Sequence, residues 1–188
     1  MKGNKPRLIV LSAPSGSGKT TIIKTACQEN SKLILSVSYT TRAPRVGEVH
    51  DVDYSFVSCE KFQEMIQNDE FLEWAEVFGN FYGTSKKFIQ YHLDMGETVI
   101  LDIDVQGAMR LRELDDFEAF FLFIAPPSLE ELKRRLIDRG TENNNSLEVR
   151  LGNAEHELTF QNRYDQVLIN DDLERATKEF MDIIYCSA

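Results

Sequence analysis

This chain is short of several things, and each shortage excludes a class. Its three cysteines, Cys27, Cys59 and Cys186, are odd in number and far apart. They provide neither a disulfide framework nor the close spacing of a metal site, and they suit a reducing cytoplasm. Cations are outnumbered: 21 Lys and Arg stand against 31 Asp and Glu, a formal net charge of -10. A nucleic-acid binder shows a basic excess or stripe, so that class is disfavoured. No apolar run approaches a membrane span, and Met1 to Arg7 is followed by too few apolar residues for a secretory signal. There is no internal repeat and no low-complexity linker. The expectation is a cytoplasmic protein with one core and no nucleic-acid, membrane or obligate protein partner.

What the chain does contain begins with Leu8-Ile-Val-Leu-Ser-Ala-Pro-Ser-Gly-Ser-Gly-Lys-Thr-Thr21. Leu8 to Leu11 reads as a short buried strand, and Ile22, Ile23, Ala26 and Cys27 follow at helical spacing. A strand, a small-residue loop, Gly-Lys-Thr and a helix form the context of a phosphate-binding P-loop. Gly16 and Gly18 let the backbone of Ala13, Pro14, Ser15, Ser17 and their neighbours surround a polyphosphate, and the helix N-terminus adds donors and partial positive charge. Lys19 would reach the β- and γ-phosphates, and the Thr20 hydroxyl would hold Mg²⁺. The motif usually opens with Gly where this chain has Ala13, which fits if that position keeps a negative φ.

The rest alternates strands and helices, apart from a β-rich segment at 36–83, and predicts a mainly parallel α/β sheet. Leu33 to Ser38 reads as a strand. Tyr39 to Glu48 reads as a loop in which Arg42 and Arg45, three apart, could grip a dianionic phosphate or simply be solvated. Asp53 to Val57 alternates as a half-exposed strand. Ser58 and Ser85 are placed to cap helices. Glu73 lies among aromatics, either on a solvent face or reading a ligand's N–H groups. Thr98 to Asp104 is a buried strand ending in acids, and Asp102 is the expected acidic partner of Mg²⁺ and its waters. Phe120 to Ala125 is another strand. Ser128-Leu-Glu-Glu131 is a capping box for a helix ending at Gly140. Lys133, Arg134, Arg135, Arg139 and Arg150 gather in this region, while the polar segment 141–146 is expected to be mobile. Val167 to Asn170 is a strand, and the last helix turns Leu173, Ala176, Phe180, Ile183 and Ile184 inward.

Taken in order, several runs resemble guanylate kinase: Ala13 to Thr20, Ser36-Val-Ser-Tyr-Thr-Thr-Arg-Ala-Pro-Arg45, Gly47-Glu48, Asp53-Tyr54, Glu70-Phe-Leu-Glu-Trp74, Tyr82-Gly-Thr84, Leu101 to Gly107, Phe123-Ile-Ala-Pro-Pro127 and Asn170-Asp171-Asp172. The resemblance covers roughly residues 7–184, with Ala13 and Tyr39 as departures. It implies the P-loop nucleoside-monophosphate-kinase fold: a core of about 5–35, 96–125 and 165–188, a GMP-binding insertion of about 36–95, and a helical lid of about 126–164. It also implies Mg²⁺-dependent phosphoryl transfer from ATP to GMP, with dGMP as a second acceptor. Residues 13–21 and Asn170 would bind ATP, Asn170 near the adenine. Ser38, Glu73 and Thr84 would read guanine. Arg42, Arg45, Tyr54 and Tyr82 would hold the GMP phosphate, and Asp104 would buttress the guanine site or Arg42. Lys19, Arg42 and the lid residues Arg135, Arg139 and Arg150 would stabilise the transferring phosphoryl. The competing class is a guanylate-kinase-like module that binds protein without catalysis. A sugar or nucleoside kinase would need a base beside its acceptor hydroxyl.

Overall fold

The computed structural model describes residues 7–77, 79–114, 118–138 and 144–186. In chain order the elements are β1 (Leu8–Ser12), α1 (Lys19–Glu29), β2 (Leu33–Leu35), β3 (Tyr39–Thr40), β4 (Ser55–Phe56), α2 (Cys59–Gln67), β5 (Phe71–Val77), β6 (Asn80–Ser85) and α3 (Lys86–Asp94). They continue with β7 (Thr98–Asp102), α4 (Val105–Arg112), β8 (Phe120–Ala125), α5 (Leu129–Asp138), α6 (Asn144–Leu158), β9 (Gln166–Ile169) and α7 (Leu173–Cys186). Arg139, Gly140 and 141–143 lie outside the described residues, so the helix end expected at Gly140 and the start of the segment expected to be mobile lie there too.

Five parallel strands form the central sheet in the order β2-β7-β1-β8-β9. They are nearly continuous apolar runs because both faces are covered. Ile9, Leu11, Ile100, Leu122, Ile124 and Leu168 face a layer that includes Ile22, Ile23 and Ala26 of α1 and Phe180 of α7. The alternate residues Val10, Val99, Leu101, Phe121 and Phe123 face Ile89 of α3 and Ala108 and Leu111 of α4. A strand's period of two makes this division unavoidable.

A second sheet, β4-β3-β6-β5, lies within 39–85 and is mostly antiparallel. It has its own small core: Phe62 stacks on Phe71 at 4.4 Å and on Phe81 at 5.5 Å between ring centroids, beside Met65. Leu132, Leu136 and Ala154 form another separate cluster between α5 and α6.

The serine N-caps hold, while the Glu131 half of the capping box turns to Arg134 and Arg135 instead. Ser58, Ser85 and Ser128 accept hydrogen bonds from the backbone N–H groups of Lys61, Phe88 and Glu131. Four readings need correction. The strand expected at 33–38 stops at Leu35, and the one expected at 53–57 shrinks to Ser55 and Phe56, with Tyr54 in a separate bridge to His50. Tyr39 and Thr40, expected in a loop, pair with both β4 and β6. Asp104 does not end a strand: its carboxylate caps α4 by accepting the Gly107 N–H at 2.7 Å.

Because the core of the second sheet is separate and small, Phe62→Ala should remove about 3–5 kcal/mol of local stability. Hydrogen exchange should accelerate in β5 and β6 while β1 and β7 stay protected. Equal acceleration in both sheets would show that the two cores open as one.

Candidate functional site

The site grows from the end of β1. Register places Leu11 beside Asp102 of β7, and the Ser12 hydroxyl donates to the Ile103 carbonyl at 2.9 Å. The chain then turns through Ala13 to Gly18 and enters α1. That helix starts differently from α2, α3 and α4: Gly18 at its N-cap supplies no side-chain bond, whereas Ser58, Ser85 and Asp104 each cap theirs. Its first N–H groups therefore have no capping side chain, which is the arrangement that attracts an anion. Gly18 has φ +87, and a Cβ there would run into the Asn170 amide, so this position requires glycine on two counts. Among the described residues the only non-glycines with positive φ are Asp51 and Asp69, so Ala13 fits its position without strain.

All of Ala13 to Thr21 lines one cleft of about 460 Å³, with Asp102, Ile103 and Asp104 on the opposite wall. Lys19 is ion-paired to Asp102 inside it. Arg135 of α5 also reaches the cleft. Its guanidinium is held by Glu131 at 2.8 Å and by the Asn170 carbonyl at 3.0 Å. Asn170 itself does not line the cleft. It is buried behind the loop, and its amide donates to the Ser17 carbonyl at 2.6 Å, so here it braces the loop. Arg150 is half-buried on α6 and is not among the lining residues. Arg139 lies outside the described residues.

A second pocket of about 350 Å³ shares the Asp102-Ile103-Asp104 wall and adds Ser38, Tyr54, Glu73, Tyr82 and Arg110. Its geometry depends on an irregularity. Phe71 pairs with Ser85, but after a register shift Glu73, not Leu72, stands opposite Thr84. The bulge turns the carboxylate so that the buried Thr84 hydroxyl donates to Glu73 Oε1 at 2.7 Å. Burial pushes the Glu73 carboxyl above its ordinary range, and the Thr84 bond and the Arg110 charge pull it back.

Arg42 and Arg45 do not converge as a free pair. Glu48 fills the Arg42 fork through two bonds, Oε1 to Nη2 at 2.8 Å and Oε2 to Nη1 at 3.0 Å. The same carboxylate takes the Arg45 backbone N–H at 2.7 Å, and Arg45 is exposed. Arg42 stacks on Tyr54 with 5.3 Å to the ring centroid, and Tyr54 meets Tyr82 edge-on at 6.0 Å.

Three contributors were missed from sequence. Glu157, on α6, lines the P-loop cleft. Burial and Asp104 raise its pKa, while Lys19 and the Ser15 N–H lower it. Glu48 looked like part of a turn. Helix α4 follows an Asp-x-x-Gly start that could have been read as a cap. The donor set at the first cleft, a hydroxyl at Thr20 and a carboxylate at Asp102, is hard oxygen and fits Mg²⁺. Among the described residues no cluster of three or more His, Cys, Asp or Glu forms a metal cage. Such sparse protein ligation suits an ion carried in by phosphates.

The family model for guanylate kinase matches residues 5–186 of this chain. A guanylate kinase of Clostridium perfringens is 46% identical over 183 residues, which is 97% of this chain and 84% of that protein. One of Clostridioides difficile is 47% identical over 180 residues, 96% of this chain and 87% of its own length. The crystal structure of guanylate kinase from Anaplasma phagocytophilum aligns with a TM-score of 0.79 at 35% identity, covering all of this chain and 88% of that one. Two clefts that share the Asp102-Ile103-Asp104 wall, in a chain with this degree of likeness over nearly its full length, belong to a member of the guanylate kinase family.

Proposed function

We infer that this protein transfers the γ-phosphoryl of ATP to GMP, yielding ADP and GDP for purine nucleotide metabolism, with dGMP as a second acceptor. One observation carries the reading. Two pockets of different chemistry share the wall Asp102-Ile103-Asp104, so a triphosphate in one faces a monophosphate in the other. The first suits a polyphosphate because of its uncapped helix start and Lys19. The second suits guanine because Glu73, once ionised, only accepts hydrogen bonds, and guanine offers N1–H and N2–H side by side. Adenine has an acceptor at N1 and would leave a buried group unpaired.

The nucleophile is a phosphate oxygen of GMP, ionised at neutral pH, so no general base is needed. The difficulty is repulsion between two anions, and catalysis is positioning plus charge compensation. Lys19 stabilises the charge spread over the transferring phosphoryl, with Arg135 beside it. Arg139 and Arg150 close on the same phosphates as part of a lid at about 126–164. Arg42 and Arg45, with Tyr54 and Tyr82, hold the GMP phosphate; its dianion displaces Glu48 from the Arg42 fork. Ser38 and Thr84 assist Glu73 at guanine, and Asp104 fixes the α4 end of that wall. Thr20, with Asp102 through water, would hold Mg²⁺, which would supply charge neutralisation to the phosphates. Closure of lid and insertion excludes water that would otherwise hydrolyse ATP. A purely protein-binding module would have no use for Lys19 paired to Asp102 at an uncapped helix start.

An assay of ADP release with GMP, AMP, CMP and UMP as acceptors should give rapid turnover with GMP alone; equal rates with AMP would end the guanine assignment. Lys19→Ala should lower kcat by about 10³-fold or more, and near-normal turnover would remove Lys19 from the mechanism. Glu73→Gln should raise KM for GMP far more than KM for ATP, and matched changes in both would count against its role.

A further inference from the structure

Arg110 belongs to none of the roles above, yet its position is not incidental. Asp104, Gly107 and Arg110 recur at intervals of three along α4, which puts them on one face. That face meets Glu73. A Cβ built at Gly107 would lie 3.4 Å from Glu73 Oε2 and 3.4 Å from Asp104 Oδ1. Two carboxylates therefore crowd over one glycine, one anchored to the Gly107 N–H and the other bonded to Thr84. Burial first, and then the Asp104 charge, push the Glu73 carboxyl above its ordinary range.

The cations nearby are few. Lys19 is tied to Asp102, and Lys86, in the outer cavity against β5, is tied to Asp69 at 2.6 Å. Tyr54 and Tyr82 complete the titratable groups of the inner pocket beside Asp102, and Glu76 those of the outer. Among the described residues, Arg110 is the one cation that lines both cavities flanking Glu73.

We propose that Arg110 sets purine choice from behind Glu73, its guanidinium offsetting the negative charge that Glu73 and Asp104 place over the same glycine. The reason this affects choice is the hydrogen-bond pattern. An ionised Glu73 offers two acceptors and matches the two donors of guanine. A protonated Glu73 offers one donor and one acceptor, and matches adenine's N1 and 6-amino group. A neighbouring positive charge keeps the first pattern in place. Arg110 is thus a positioning residue that acts through Glu73. The inference rests on GMP being the acceptor, but titration of Glu73 in the free protein does not depend on that.

The test is Arg110→Gln beside Arg110→Lys. Titration of the Glu73 carboxyl by carbon NMR, without nucleotide, should move upward by about one pH unit in the Gln variant and return close to wild type in the Lys variant. The acid limb of kcat/KM for GMP should shift by the same amount. KM for GMP should rise about fivefold at the old midpoint and approach about tenfold below it, with kcat and KM for ATP unchanged, and AMP should gain relative to GMP as pH falls. An unmoved Glu73 titration overturns the proposal, as does a Lys variant as impaired as the Gln variant. A wild-type enzyme inert toward GMP would instead refute the acceptor assignment, and the titration alone would then decide whether Arg110 acts on Glu73.

Discussion

The register between β1 and β7 is the constraint from which the rest follows. Leu11 beside Asp102 means that a loop leaving one strand faces an acid ending the next. Lys19 closes the gap by pairing with Asp102. A slip of one residue would send Asp102 to the opposite face of the sheet, leaving the lysine without its partner and both pockets without their common wall. The apolar residues that fill both faces of the sheet fix that register, so core packing and the geometry of both clefts are here one specification.

Charge is distributed accordingly. A protein with an excess of acids still fixes individual cations, because carboxylates hold them in place. Glu48 orients Arg42, Glu131 orients Arg135, and Asp102 orients Lys19. A carboxylate partner immobilises a long side chain before the ligand arrives and so reduces the entropy lost on binding. Glu157 extends this pattern across the cleft, drawn toward Lys19 and the Ser15 N–H from a different helix.

Much of this was legible in the sequence, and what was not had a physical reason. The P-loop is local, so strand, loop and helix start could be read directly. The caps at Ser58, Ser85 and Ser128 depend on three-residue relations and were readable for the same reason. Glu73 was located, but not the bulge that turns it, because a register shift depends on the partner strand. Asn170 looked like a ligand contact; only the structure brings it behind Gly18. The Arg42 and Arg45 spacing gave no hint that Glu48 would take the fork. Helix α4 was passed over because the apolar run before it ends in two acids, which read as strand termini. The lid helices were legible by their apolar spacing, whereas Arg139 lies outside the described residues.

Asn170 carries a consequence of its own. Its amide secures the carbonyl of Ser17, a partner 153 positions earlier in the chain, and its own carbonyl secures Arg135. Residues 13–18 are therefore completed only by a segment far along the chain. Until β9 docks, residues 13–18 are a glycine-containing tether with no brace, and the closure entropy of a very long loop stands between the nascent chain and a working cradle. A truncated product ending before β9 would keep the motif in its sequence without the cradle in its structure.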